Sequence, residues 1–137
     1  METTIDLHFK EEEAYYATNT SGNRIEIDMY QDDKQAMSPT ELLLSGVIAC
    51  AAVDIAAMIR KRRKTLIDLK GKATGTRRNE HPRKFTDIHI QYDICSPDLS
   101  EEEAAKIIDL AVEKYCSVAA TLNESTNLTH GFSIKKD

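Results

Sequence analysis

Residues 38–61 read SPTELLLSGVIACAAVDIAAMIRK and form the most apolar stretch of the chain. Ser38 is a suitable N-cap, and Pro39 fits the first helical position, where its missing N–H costs nothing. The basic run Arg60–Lys64 follows the apolar residues and places cations at the negative end of the helix dipole. The stretch therefore predicts a long helix that begins at Pro39 and ends in the basic run.

Apolar side chains cover nearly every face of this predicted helix, and such a helix must be surrounded. A membrane span needs about 20 uninterrupted apolar residues, whereas this helix contains Glu41 and Asp54 and is rich in alanine. We therefore expect no membrane insertion. A small domain has difficulty enclosing such a helix alone, so we expect a second copy of the chain to cover it in a homodimer.

The segments on either side of the helix predict an α+β fold in a single domain, residues 1–137. Before the helix, apolar residues alternate in three short runs, which predicts a three-stranded meander. After it we expect a hairpin with its turn at 79–82, a second helix that begins at the Ser100/Glu103 capping box, a short helical turn and a last strand. The expected ranges are 5–9, 15–18 and 25–29 for the meander, 68–78 and 84–95 for the hairpin, 101–115 for the second helix with Leu110 and Tyr115 among its core positions, 118–123 for the helical turn and 128–135 for the last strand.

Charge and cysteine count limit the class of function. The chain has 18 Lys and Arg against 23 Asp and Glu, a net charge of −5, which gives no general electrostatic case for binding nucleic acid. The basic run with Arg77 and Arg78 is more simply a solvated helix end than an anion site. The first residues lack a signal-peptide pattern, and an odd count of three cysteines fits a reducing compartment, so we expect a cytoplasmic protein.

Two cysteines are candidates for chemistry. Cys50 lies midway along the long helix, and Cys116 lies where the second helix is expected to end. If their side chains meet, a peroxide can oxidise one thiolate to a sulfenic acid, and the other thiol can condense with it to a disulfide that an external dithiol reduces. Taken singly, each cysteine is better explained as a small buried hydrophobe, and we interpret Cys95 as structural.

Three motifs in this order resemble the OsmC/Ohr family, and most closely its YhfA-like branch. They are residues 38–50 (SPTELLLSGVIAC), 82–88 (PRKFTDI) and 113–118 (EKYCSV), and the resemblance extends from about Arg24 to the C-terminus. It implies an intertwined α+β homodimer whose buried central helices are wrapped by antiparallel sheets from both chains. It also implies a thiol-dependent peroxidase that acts on organic hydroperoxides.

The resemblance assigns a role to each of five residues. Cys50 matches the peroxidatic position and Cys116 the resolving position. The family places an Arg–Glu pair beside the first cysteine, where arginine lowers the thiol pKa and carboxylate holds arginine. Arg83, in the second motif, is our first choice for the arginine and Arg24 the second. Each can also be a solvated or structural cation.

The glutamate is where this sequence departs from the peroxidase branches. Their motif has glutamate directly after proline, but Thr40 occupies that position here and Glu41 follows it. At about 100° per residue, Glu41 lies roughly 180° around the helix from Cys50, whereas position 40 lies roughly 80° away. The alternative for Glu41 is a first-turn carboxylate that the helix dipole favours.

Two functions remain open on these observations. The first is a cytosolic homodimeric thiol peroxidase that uses a small-molecule hydroperoxide and a cellular dithiol reductant, with no metal and no cofactor, since neither paired metal-ligand spacing nor a Gly-rich phosphate loop occurs. The second is a non-peroxidatic dimer that binds a small apolar or thiol-reactive ligand. The displaced glutamate favours the second and the two cysteines favour the first, which we prefer.

Overall fold

The computed structural model describes residues 1–122 and 124–137 and has the expected α+β fold class. The chain divides into two compact units, Met1–Leu43 and Leu44–Asp137, which we call the N-terminal unit and the core unit. Each unit contains one three-stranded sheet. The single domain expected from the sequence stays a prediction.

The N-terminal unit contains the predicted meander. Its strands β1 (Ile5–Glu11), β2 (Ala14–Asn19) and β3 (Arg24–Asp28) are antiparallel and adjacent in chain order. Because successive strand residues point to opposite faces, the register places the alternating apolar side chains of the three strands on one face. Polar and charged side chains occupy the other face.

A buried carboxylate orders the segment between β3 and the long helix. Asp28, which is 3% exposed, accepts a bond of 2.9 Å from Lys34 Nζ and bonds of 2.9 and 3.0 Å from the backbone N–H groups of Gln35 and Ala36. The lysine bond is the largest cause of a lowered Asp28 pKa, and the backbone bonds add to it. The carboxylate therefore ties the approach to the helix to the end of β3.

The long helix, α1 (Pro39–Lys61), begins at the predicted residue and ends within the basic run. Its buried residues are Val47, Ala51, Ile55 and Ile59, a single stripe at four-residue spacing. Among the described residues it is the one helix long and apolar enough to cross a membrane, a property that core helices share. Within the single chain only this stripe is fully covered, whereas the sequence predicts an enclosed helix.

The second sheet lies in the core unit. It consists of β4 (Asp68–Arg77), β5 (Phe85–Cys95) and β6 (Asn127–Lys135), in which β4 and β5 form the predicted antiparallel hairpin and β6 is parallel to β5. A Cβ atom at Gly71 would lie 2.7 Å from Ile48 Cδ1, so glycine is needed there for α1 to approach the sheet. The apolar face of β5 supplies much of the core.

The second helix differs from the sequence prediction. It begins at the predicted capping box, but α2 (Glu101–Asp109) continues as a π-helical turn, Leu110–Tyr115, which we call the π-turn. A π-helix has more residues per turn than an α-helix, which rotates the residues that follow. Leu110 and Tyr115, expected in the core, are 37% and 51% exposed, and Cys116 is buried instead. The short helix α3 is Ser117–Thr121, and Asn123, the expected end of that helical turn, lies outside the described residues.

Candidate functional site

The structure brings the two candidate cysteines together in the core unit. Cys50 is half-buried on α1, and Cys116 is buried between the π-turn and α3. Cys50 packs against the buried cluster that contains Cys116, and its thiol is near enough to raise the pKa of the Cys116 thiol. Cys116 Sγ also lies 3.9 Å from the carbonyl oxygen of Val47 and accepts a bond of 3.3 Å from the N–H of Ala119. Both cysteines are free thiols.

The surroundings keep Cys116 protonated. Burial is the main cause that raises the pKa of the Cys116 thiol, and its proximity to Cys50 raises it further. The N–H of Ala119, at the first turn of α3, acts in the opposite direction but does not offset burial. The positive end of a helix dipole favours the thiolate of a cysteine at the first turn. Here desolvation outweighs the helix start, so Cys116 is a protonated donor at neutral pH.

A buried tyrosine lies beside the two sulfurs. Tyr92, on β5, is 1% exposed and donates a hydrogen bond of 2.6 Å from its hydroxyl to the carbonyl oxygen of Ile48, two residues before Cys50. Burial raises the pKa of Tyr92, and the two cysteines raise it further. In the sequence, Tyr92 is one position within the predicted strand 84–95. A tyrosine on a buried strand face needs an acceptor for its hydroxyl, and that need was the available signal.

Glu41 lies at the start of α1. Its carboxylate accepts bonds of 2.9 Å from both the backbone N–H and the hydroxyl of Ser38, and Ser38 Oγ accepts from the Glu41 N–H at 3.4 Å. This arrangement is a capping box. The bonds from Ser38 lower the pKa of Glu41, and Lys34, 3.9 Å away, contributes. The carboxylate thus has a structural use at the helix start, and its predicted role beside Cys50 stays a prediction.

Arg24 is held on the polar face of the N-terminal sheet. Its guanidinium lies 3.6 Å from the centre of the Tyr16 ring. Two hydrogen bonds join it to Glu26, one of 2.8 Å from Nη2 and one of 3.1 Å from Nε. The Glu26 bond is the largest cause of a raised Arg24 pKa and of a lowered Glu26 pKa. A bidentate contact and a ring stacking fix the direction of the guanidinium.

Arg83 lies in the connection between β4 and β5, in the core unit. Its side chain is exposed, and its carbonyl oxygen accepts a bond of 2.7 Å from Arg77 Nε. Within the part of the chain that the structure describes, Arg83 forms no ion pair. The role of Arg83 beside Cys50 therefore stays a prediction, as does that of Arg24.

The N-terminal unit contains an apolar cavity of about 380 Å³. Residues of all three strands line it, together with Asn23 and with Leu42 in the first turns of α1. A volume of this size is at the lower end of the range for small-molecule sites. Sequence reasoning did not identify this cavity, because it depends on how the meander and the helix start pack.

A second cluster of polar side chains was also missed. Nε2 of His130, on β6, lies 3.6 Å from a carboxylate oxygen of Asp109 and 3.8 Å from one of Glu113. The three ligand atoms lie within 4.8 Å of one another, and both carboxylates are exposed. The sequence has no paired histidines, and the signal was instead two acidic residues four apart, Asp109 at the end of α2 and Glu113 in the π-turn. The set has the donor atoms of a metal site, and it is equally an exposed ion-pair cluster.

Comparisons with known proteins relate most of the chain to one family. Residues 31–131 match the model of the family described as OsmC-like protein. Protein YhfA of Escherichia coli is 36% identical over 120 residues, which cover 88% of this chain and 89% of that protein.

Solved structures share the fold. An OsmC-like protein from Mycoplasma pneumoniae has a TM-score of 0.85 at 21% identity and covers 98% of this chain and 97% of its own. An organic hydroperoxide resistance protein of the OsmC type from Legionella pneumophila has a TM-score of 0.71 at 16% identity, with 97% of each chain covered. The core arrangement that joins α1, β5 and the segment of Cys116 thus belongs to a fold with known representatives.

Proposed function

This chain belongs to the OsmC-like protein family, and from that premise we propose that it is a thiol peroxidase that reduces organic hydroperoxides through Cys50 and Cys116. The observation that carries the proposal is that the two thiols lie near each other in the core unit, where Cys50 packs against the cluster that contains Cys116. A structural neighbour named as an organic hydroperoxide resistance protein supports the choice of substrate.

The chemistry divides between the two sulfurs according to their exposure. The half-buried Cys50 can be reached by a peroxide, and its thiolate attacks the distal oxygen of the hydroperoxide. The O–O bond breaks, the alkoxide leaves and takes a proton from water, and Cys50 becomes a sulfenic acid. The buried Cys116 sulfur then attacks the Cys50 sulfur, which forms the disulfide and releases water. A cellular dithiol reduces the disulfide by exchange and regenerates both thiols.

In this proposal a positive charge supports the Cys50 thiolate and holds the peroxide. Arg83 is the first candidate for that charge and Arg24 the second, and Glu41 is the candidate for the carboxylate that orients it. The reaction requires no metal and no organic cofactor. We infer a cytoplasmic location, where thiols are kept reduced between turnovers.

The proposal includes a homodimer. Three alternating side chains of β1, namely Ile5, Leu7 and Phe9, are each at least 60% exposed in the single chain. An apolar sheet face of this kind is rarely left in water, and a second copy of the chain would cover it. The half-buried faces of α1 support the same inference.

Thiol titration with cumene hydroperoxide tests the peroxidase activity. We expect one equivalent of the hydroperoxide to remove two of the three thiols per chain, and Cys50→Ser to abolish the loss. Cys95→Ser is the matched control, because Cys95 is a buried cysteine at the end of β5 that the proposed cycle does not use. Thiols that survive the hydroperoxide, or oxidation that persists in Cys50→Ser, would reject the proposal.

The cavity of the N-terminal unit favours a second candidate, a binding protein for a small apolar ligand. On this alternative the thiols remain unchanged with hydroperoxide, and an apolar fluorophore such as 1-anilinonaphthalene-8-sulfonate binds saturably. Ile25→Asn, which places an amide in the cavity wall, should weaken that binding. Binding unaffected by this substitution would place the fluorophore elsewhere on the protein.

A further inference from the structure

The hydroxyl of Tyr92 is a buried group that the proposed cycle does not use. Its bond of 2.6 Å to the Ile48 carbonyl is at the short end of O–H···O distances. In an α-helix that carbonyl also accepts the N–H of the residue four positions later, so the tyrosine adds a second bond to the helix backbone. The bond joins the middle of β5 to the turn of α1 that carries Cys50.

Two neighbouring carbonyl groups of α1 hold the two segments that face Cys50. The carbonyl of Val47 contacts Cys116 Sγ at 3.9 Å, and the carbonyl of Ile48 accepts from Tyr92. A rotation or slide of α1 on the sheet would therefore break the Tyr92 bond and move Cys50 relative to Cys116. A disulfide tolerates little displacement, because its S–S length and its Cα separation are narrowly limited.

Resting on the proposed peroxidase activity, we propose that Tyr92 is a positioning residue for the disulfide step: its bond to the Ile48 carbonyl holds the Cys50 turn of α1 within bonding distance of Cys116. The raised pKa of Tyr92 supports this role, because the phenol stays neutral and keeps donating through the alkaline range. The tyrosine gives up no proton in the step.

The proposal separates the two chemical steps. Oxidation of Cys50 needs its sulfur, the peroxide and the positive charge proposed beside them, none of which Tyr92 supplies, so this step does not depend on Tyr92. Disulfide formation joins the sulfurs of Cys50 and Cys116, breaks the S–O bond of the sulfenic acid and releases its hydroxyl group as water with the proton of the Cys116 thiol. Only this second step requires α1 to stay in register with β5.

Tyr92→Phe removes the single oxygen atom that carries the proposal. After rapid mixing with cumene hydroperoxide, we expect Cys50 oxidation within about threefold of the wild-type rate. Disulfide formation should slow by about five- to tenfold, the effect of one lost neutral hydrogen bond. Dimedone should then label Cys50 as sulfenic acid, as measured by mass spectrometry. Tyr115→Phe is the matched control, since Tyr115 precedes Cys116 in the chain but is 51% exposed.

The ratio of sulfenic acid to disulfide distinguishes positioning from a general loss of stability, because lower stability alone does not favour one step over the other. Diamide, an azo oxidant that accepts two electrons and two protons from a pair of thiols, separates this proposal from the peroxidase proposal. If the hydroperoxide leaves the wild-type thiols intact but diamide forms the Cys50–Cys116 bridge more slowly in Tyr92→Phe, the peroxidase proposal fails and the positioning role stands. Equal bridge formation in Tyr92→Phe and wild type, or no bridge in wild type with either oxidant, would overturn it.

Discussion

The N-terminal unit and the core unit differ in how much of their apolar surface they bury. Among the described residues of the N-terminal unit, Ala17 and Asp28 are the two that are buried, although apolar side chains line one whole face of its sheet. The hydrophobic core cluster of the described chain lies entirely within the core unit and draws on α1, β5 and α2. The same 137 residues thus contain one unit with its own core and one without.

Polar interactions hold the N-terminal unit where apolar packing does not. Glu26 pairs with both Lys10 and Arg24 on the polar face of the sheet, and Asp28 orders the segment that follows β3. Exposed ion pairs contribute little to stability. The N-terminal unit therefore has an exposed apolar sheet face, whereas the core unit carries the two sulfurs on elements that are already packed.

The largest expected difference in stability is between alanine substitutions of two isoleucines, one in each unit. Ile107 on α2 is fully buried, and Ile5 on β1 is 60% exposed. Ile107→Ala should lower the free energy of unfolding by about 2–5 kcal/mol, because it removes buried methyl groups and leaves a cavity. Ile5→Ala should change the stability of the single chain by less than about 1 kcal/mol. Urea unfolding followed by circular dichroism measures both.

Protein concentration sharpens this test. If a second copy covers the N-terminal sheet, Ile5→Ala should cost more stability at high concentration than at low concentration, since it then weakens an interface. Ile107→Ala should cost the same at both. If Ile5→Ala and Ile107→Ala lower the free energy of unfolding equally at low concentration, the N-terminal face is already covered within one chain. The contrast between the two units would then be wrong.

Local sequence signals predicted where the helices begin. The features that depend on tertiary contacts could not be predicted in this way. The Ser38 and Ser100 caps are local, and both helices begin where the sequence places them. The π-turn has no local signature in the sequence. It leaves Tyr115, expected in the core, exposed and buries Cys116. The meeting of Cys50 and Cys116 was expected only as a possibility, because it depends on packing between distant segments. The acceptor of Tyr92 lies 44 residues away in the chain and was not predicted.

The next difference in stability concerns two glycines. A side chain is unfavourable at each of them for a different reason. A Cβ atom at Gly75 in the core unit would lie 2.6 Å from Phe85 Cδ1 and 3.2 Å from Leu44 Cδ2. Gly22 in the N-terminal unit has no atom within 4 Å of that position but has a φ of +84°. Gly75→Ala should cost about 1–3 kcal/mol through overpacking, and Gly22→Ala about 1–2 kcal/mol through left-handed backbone strain.

Asparagine distinguishes the two causes, because it tolerates left-handed backbone better than alanine. Gly22→Asn should recover most of the stability that Gly22→Ala loses, whereas Gly75→Asn should be worse than Gly75→Ala. Thermal unfolding of the four variants is the measurement. Recovery by asparagine at Gly75 would show that space is not what limits this position.

The smallest expected effect is a loss of stability at alkaline pH. We expect this loss to arise from groups in the core unit. Burial raises the pKa values of Cys116 and Tyr92, both in that unit. A group whose folded-state pKa lies above its unfolded value contributes stability below the unfolded pKa and loses it as pH rises. The free energy of unfolding should therefore begin to fall above about pH 8.5, where an unfolded cysteine ionises, and fall further above about pH 10 for the tyrosine.

The slope of the free energy of unfolding against pH separates the contributions of Cys116 and Tyr92. Each group contributes at most about 1.4 kcal/mol per pH unit, and Cys116→Ser should remove the part between about pH 8.5 and 10 while leaving the tyrosine's part. Cys95→Ser is the control, measured by urea unfolding at half-unit steps. If Cys116→Ser and wild type lose stability in parallel over that interval, the raised pKa of the buried Cys116 thiol does not contribute to the stability of the folded state. The burial of Cys116 would then be explained by packing alone.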